Sequence, residues 1–171
     1  MGKATKAQSS PYYKARMAAA AYNDDFCSRE AAADTVGIER TRLARIELGL
    51  ICPYPEEVRM MADAYNAPEL CNYHCTTDCP IGRETVPKAE TGGLEQIAVR
   101  VYSALRTADT IREQLIEIAA DGVIEIAADG VIDDSERPTL AQISARLRRM
   151  QAAASELQIY IDKLEGGRSH V

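Results

Sequence analysis

Two runs of apolar residues in the second half of the chain constrain its fold most. Leu94, Ile97, Val101, Ala104, Ala108, Ile111, Leu115 and Ile118 are spaced alternately by three and four residues. Leu140, Ile143, Leu147, Met150, Ala154, Leu157, Ile161 and Leu164 repeat that spacing. A helix returns to one face every 3.6 residues, so each ladder paints a single stripe along one helix; a strand would need alternation by two. Ladders of this length are a coiled-coil signal. They predict an antiparallel helical hairpin over residues 94–166. A single hairpin buries only one stripe per helix, which favours pairing with a second copy over a two-helix subdomain packed on the rest of its own chain.

Between the ladders the octapeptide IEIAADGV occurs twice in tandem, as Ile116–Val123 and Ile124–Val131. One copy followed by IDDSERP makes a natural turn, with Asp-Gly ending the first helix, Ser135 capping the next and Pro138 in its first turn. The second copy is surplus. Eight residues do not fit a seven-residue repeat, so it reads as a local duplication that disturbs the register. Glu125–Glu136 also superficially resembles a calcium loop. Glu125 and Ala127 stand where shorter or oxygen-bearing ligands are needed, so calcium is not expected there.

The N-terminal half is punctuated differently. Tyr12–Tyr22 is a good helix former, ended by Asn23-Asp24-Asp25. Ser28 is placed to cap a helix over Arg29–Val36, and Gly37 breaks it. A further helix over about Arg40–Leu48 stops at Gly49. Pro55 suits the first turn of a helix running to about Tyr65, and Pro68 opens another short one. Residues 80–93, with two Pro and three Gly among polar residues, read as a linker. The organisation expected is therefore all-α, with a helical domain at 11–79, a linker at 80–93 and the hairpin at 94–166.

Composition removes whole classes of function. Hydrophobic residues at 46% and charged residues at 27% are the balance of a folded globular protein. No apolar run approaches the roughly 20 residues of a membrane helix, and Met1–Lys6 is followed by no apolar signal core. A cytoplasmic location is expected, with the five cysteines reduced, metal-bound or redox-active. Only two histidines, His74 and His170, are available. There is no phosphate-cradling glycine loop, no Ser/His/Asp arrangement and no paired-acid motif, so no enzyme is expected.

The net charge of −6 is unevenly spread. Residues 1–49 hold eight Lys and Arg (Lys3, Lys6, Lys14, Arg16, Arg29, Arg40, Arg42, Arg45) against six acids. A mildly basic head on an acidic body suits a protein of which only the head meets a polyanion. Within that head, Ser28–Gly49 has a helix-turn-helix layout. Small Ala32 and Ala33 permit close helix approach, Gly37 sits at the turn, and Ile38, Leu43 and Ile46 form the apolar face. The other face of the second helix offers Arg40, Thr41, Arg42 and Arg45, side chains suited to base edges in a major groove. Ser28 and Arg29, at a helix N-terminus, suit a phosphate.

These residues carry a resemblance. Ser28-Arg29-Glu30-Ala31-Ala32, Val36-Gly37-Ile38, Leu43–Gly49, Pro53-Tyr54-Pro55 and Met61–Tyr65 resemble the lambda-repressor-like (Cro or XRE-type) helix-turn-helix family over residues 12–72, about a third of the chain. The resemblance implies a five-helix domain that binds double-stranded DNA. It implies that positions 40, 41, 42 and 45 face the duplex and that 28 and 29 touch its backbone. Arg29 stands where the family usually has Gln, and Leu48 where it usually has a polar or basic residue.

A separate cluster lies past that core. Cys71, Cys75 and Cys79 follow a C-x3-C-x3-C spacing, and residues four apart share a helix face. With Cys52 they form a candidate zinc set, Cys52, Cys71, Cys75 and Cys79. The spacing differs from the usual C-x2-C, and buried structural thiols are the alternative. Three functions thus compete: a dimeric, repressor-like regulator reading a palindromic operator; a protein-interaction adaptor with a non-binding head; and a thiol- or metal-responsive sensor.

Overall fold

The computed structural model describes residues 9–90, 92–121 and 137–166. The described secondary structure is all helical: α1 (Pro11–Ala19), a 3-10 turn (Asp24–Phe26), α2 (Arg29–Val36), α3 (Arg40–Glu47), α4 (Pro55–Ala64), α5 (Glu69–Thr77), α6 (Gly82–Thr85), α7 (Leu94–Asp121) and α8 (Arg137–Gly166). No described helix is long and apolar enough to cross a membrane. From Gly122 onward the octapeptide duplication, the Asp-Gly turn and the Ser135 cap lie outside the described residues, as do Lys3, Lys6 and His170.

The described residues fall into two compact units. One takes the chain up to Ala89 together with the part from Ile159 onward; the other is Glu90–Gln158.

In the first unit, local chemistry sets the helix ends. Asn23 accepts a bond from Asp25 N at 3.0 Å and opens the 3-10 turn, which is why α1 stops at Ala19, short of the Tyr22 expected. That turn carries Phe26 into the core. Ser28 Oγ accepts from Ala31 N at 3.1 Å and caps α2. Gly37 closes α2 with φ +79°, a left-handed conformation that costs a side-chain-bearing residue strain, and its N–H reaches Ala33 O at 2.9 Å. Gly49 does the same after α3, with φ +66°. Pro55 begins α4, and Asn66, with φ +49°, ends the turn after it while Ala67 N bonds Ala62 O at 2.8 Å.

The core forms where α1 to α5 converge. Leu43 and Ile46 of α3, Val58 and Met61 of α4 and Leu70 of α5 are almost wholly buried. Each such side chain contributes roughly 1.5–3 kcal/mol by leaving water. Ala32 and Ala33 are buried on α2, where their small side chains let α3 approach. The stretch 80–89 is not bare linker. It holds α6, packed on α5, and Asn72 pins it by donating to Pro87 O at 3.0 Å and accepting from Ala89 N at 2.9 Å. The end of α8 also belongs here: Lys163 Nζ pairs with Glu69 at 2.8 Å, and Asn66 Nδ2 donates to Lys163 O at 3.0 Å.

In the second unit, α7 buries Ile97 and Ile111 and half-buries Val101, Ala104 and Ala108 of its ladder, whereas Leu94 at its start is 50% exposed. On α8 the shared row Ile143, Met150 and Leu157 is turned inward, but the flank differs from expectation. Ala153 is buried and Arg146 half-buried, while Leu147 and Ala154 are exposed. The physical reason is Glu156, which is 5% exposed and accepts bonds from Arg100 Nε and from Glu90 N at 3.0 Å. Burying a carboxylate demands such partners, and meeting them rotates α8 toward that flank.

Candidate nucleic-acid interface

The orientation of α3 follows from its sequence. Leu43, Ile46 and Glu47 point inward; Arg40, Thr41 and Arg45 are exposed on the other side, with Ala44 and Leu48 half-buried between. Residues 40, 44 and 48 form one helical row and 41 and 45 the next. No ion pair among the described residues holds Arg40 or Arg45.

Beneath that face sits a buried ionic clamp. Glu47 has no exposed side-chain surface, and Arg16, only 4% exposed, bonds both of its oxygens at 2.5 and 3.2 Å. Arg16 also donates to Phe26 O at 2.7 Å, and Arg29 Nε bonds Glu47 Oε2 at 2.6 Å. One carboxylate thus joins α1, α2 and α3. Of the basic residues counted for the head, Arg16 is interior, and Arg29 bonds Glu47 while its side chain stays 36% exposed. Ser28 spends its hydroxyl oxygen on the α2 cap.

Arg42 is also engaged. It makes a two-pronged pair with Glu57, the Nη2–Oε2 arm measuring 2.8 Å, and its guanidinium lies 4.4 Å from the centre of the Tyr54 ring. Glu57 in turn accepts from Tyr54 N at 2.7 Å. This group braces α3 against the start of α4. The Arg42 side chain, its Nε and Nη2 nitrogens turned inward, holds the carboxyl of Glu57 below its ordinary value, against the opposing effect of burial.

A feature that sequence inspection missed is the α3 cap. Glu39 accepts from Thr41 N and Arg42 N, both at 2.8 Å, and these bonds, Thr41's first, hold its carboxyl below the ordinary carboxylate pKa. The sequence places Glu39 near a helix start, where negative charge is favoured, but Glu ranks low among capping residues and its side-chain cap is not legible there. Its charge offsets part of the helix N-terminal field and stands beside Arg40.

The cysteines are dispersed differently from the expected four-sulfur set. All five are free. Cys79 Sγ accepts from Gly82 N at 3.4 Å, and burial, then Cys75, raises the Cys71 thiol. Among the described residues, one group of three metal-ligating side chains comes together, and it is Cys52, His74 and Asp78, their ligand atoms all within 4.8 Å of one another.

No protein-family model, curated protein or solved structure matches the chain. The site therefore stands on its own geometry.

Proposed function

We propose that this chain is a sequence-specific regulator that binds double-stranded DNA as a homodimer in the cytoplasm, through the helix-turn-helix of α2 and α3. The observation that carries the reading is the outer face of α3: Arg40, Thr41 and Arg45 are solvent-facing and unheld by any described acid, on a helix anchored from below by Glu47 and from the side by Arg42. The resemblance to the lambda-repressor-like family over the same residues supports it. Base reading falls to Arg40, Thr41 and Arg45, an arginine being able to make two bonds to one guanine. Arg29 and Arg42 act as struts. The chain's net charge of −6 disfavours sequence-blind attraction to a polyanion, so binding depends on matched base contacts. Two-fold pairing through the second unit would set two heads on a palindrome with half-sites about one helical turn apart, or a multiple of it.

Selection of bound duplexes from a random pool is the direct test. A palindromic consensus is the expected result. Arg40→Ala and Arg45→Ala should each lower affinity for it by about tenfold or more per half-site while leaving thermal stability within about 0.5 kcal/mol of the parent. A pool with no enriched sequence, or affinity untouched by both changes, overturns the reading.

A second reading has one specific observation in its favour. Val99, Tyr102 and Leu105 are 68%, 65% and 61% exposed on α7, an apolar stripe in an otherwise polar setting. If the selection fails, an adaptor that docks another protein on that stripe is the reading left standing.

A further inference from the structure

Cys52 lies in the loop between α3 and α4, whereas His74 is in the last turns of α5 and Asp78 directly follows it. Nothing in the local sequence pairs these segments; the fold does. The side chain of His74 is only 9% exposed, and its Nδ1 has no hydrogen-bond partner. A buried nitrogen left in that condition costs about 1–3 kcal/mol. The nearest acceptor, Asp78 Oδ2, stands at 3.6 Å, too far for a sound hydrogen bond. That separation is close to the roughly 3.3 Å between nitrogen and oxygen ligands on one tetrahedral zinc, as bond lengths near 2.1 Å require. Cys52 and Asp78 also line an open cavity of about 490 Å³, together with Tyr12, whose buried hydroxyl is likewise without a partner.

We infer that Cys52 Sγ, an imidazole nitrogen of His74 and a carboxylate oxygen of Asp78 bind one divalent transition ion, zinc by preference, with a fourth position open to the cavity. Sulfur, nitrogen and oxygen donors together suit zinc and exclude magnesium and calcium, which take oxygen alone. The charge balance points the same way. A thiolate beside the Asp78 carboxylate places two negative charges together, a poor setting for a nucleophilic cysteine, and a divalent cation neutralises both. On binding, the S–H bond of Cys52 breaks, a metal–sulfur bond forms and the proton goes to solvent. Drawing the three ligand atoms in from 4.8 Å takes a shift of about 1 Å, within reach of an exposed loop side chain and a carboxylate just past a helix end. The ion would tie the loop that leaves α3 to the end of α5. The site does not depend on duplex binding and differs from the Cys52, Cys71, Cys75 and Cys79 set, sharing only Cys52.

Cobalt titration of the full chain, purified reduced and stripped of metal, tests this without DNA. One equivalent of cobalt should produce a thiolate-to-cobalt charge-transfer band and visible bands of tetrahedral cobalt, both abolished by zinc. Cys52→Ser should remove the charge-transfer band and Asp78→Asn should weaken cobalt binding, each by about 100-fold or more in affinity, since even outer partners of a ligand are worth 10–100-fold. Both positions are exposed, and circular dichroism should show both variants folded. A triple variant, Cys71→Ser with Cys75→Ser and Cys79→Ser, should bind as the parent does. No band with cobalt in excess, a band that survives Cys52→Ser, affinity unchanged in Asp78→Asn, or a band lost in the triple variant would each overturn the assignment.

Discussion

The two compact units hold their helices by different means. In the first, rotation and ends are fixed by single devices at single positions: the Ser28 cap, the left-handed Gly37 and Gly49, and one carboxylate, Glu47, gripped by Arg16 and Arg29. In the second, the described residues of α7 and α8 carry long apolar stripes and an ion pair of Arg100 with the buried Glu156. Point devices specify a helix face outright. A stripe specifies that a face exists, but its two flanks are almost equivalent, and the buried charge chooses between them. The contrast bears on the proposed function, because a base-reading surface would need the first kind of precision, whereas a pairing surface would tolerate the second.

The largest effect that would break this contrast is expected at Glu47. Glu47→Ala strips both arginines of their partner and leaves Arg16 charged in the interior. A loss of about 3–5 kcal/mol is expected, read as a fall in the urea midpoint. Arg16→Ala should cost a similar amount for the mirror-image reason. If either variant lost less than about 1 kcal/mol, the clamp would be decoration and the head would owe its helix orientation to apolar packing alone.

Next comes the flank of α8. Ile143→Ala should cost about 2–4 kcal/mol, the usual result of emptying a buried aliphatic site. Leu147→Ala should cost within about 0.5 kcal/mol for one chain by itself, because Leu147 is 51% exposed. The pair of measurements separates the observed flank from the one the 3-4 ladder implies. Repeating them across protein concentration sharpens the comparison: a concentration-dependent cost at Leu147 would show that the exposed flank is covered by a second copy.

How much could be read in advance follows the same division. The limits of α2 and α3 were legible to within a residue, since Ser28, Gly37 and Gly49 act on their immediate neighbours. The Glu47 clamp, the Arg42–Glu57 brace and the Cys52–His74–Asp78 group were not. The partners in the clamp and the brace lie 15 or more residues apart, and Cys52 is 22 residues from His74, though His74 and Asp78 are four apart; one sequence offers many acids and bases but no rule for which will meet. Counting Arg16 as surface charge was the natural reading; it is interior, while Arg29 and Arg42 stay about one-third exposed and paired with Glu47 and Glu57. Segment 80–93 looked like a linker for a related reason. Gly and Pro advertise turns, but the side chain of Asn72, which holds residues 87 and 89, lies outside the segment.

A smaller effect is expected at the two left-handed glycines. Gly37→Ala and Gly49→Ala should each lose about 1–2 kcal/mol from placing a Cβ in that backbone conformation. Gly37 carries an additional contact: its new Cβ would stand 3.1 Å from the Met60 methyl, whereas nothing lies within 4 Å at Gly49. Met60 is 38% exposed and its methyl can yield, so the difference between the two should be only a few tenths of a kcal/mol. A cost at Gly49 that matched or exceeded that at Gly37 would mean that the Met60 methyl moves aside at no cost and adds nothing to the backbone strain at the α2–α3 turn.

The smallest effect is one of acidity at the brace. In the folded chain the Arg42 side chain, opposed by burial and aided by the Tyr54 N–H, holds the Glu57 carboxyl below its ordinary value of 4.5. Unfolded, Glu57 regains that ordinary value. Above about pH 4.5 both states are ionised and the brace contributes in full. As pH falls below that, the unfolded chain takes up the proton first, and the contribution is lost by the time the folded carboxyl is protonated. Glu57→Gln has no such step. The stability advantage of the parent over the variant should therefore be flat at neutral pH, shrink below about pH 4.5 and vanish at the acid end. Glu39 titrates in both proteins and cancels in the difference. A difference that did not change with pH would mean that Arg42 is held by the Tyr54 ring rather than by the carboxylate, and that it can be released toward a duplex without first breaking an ion pair.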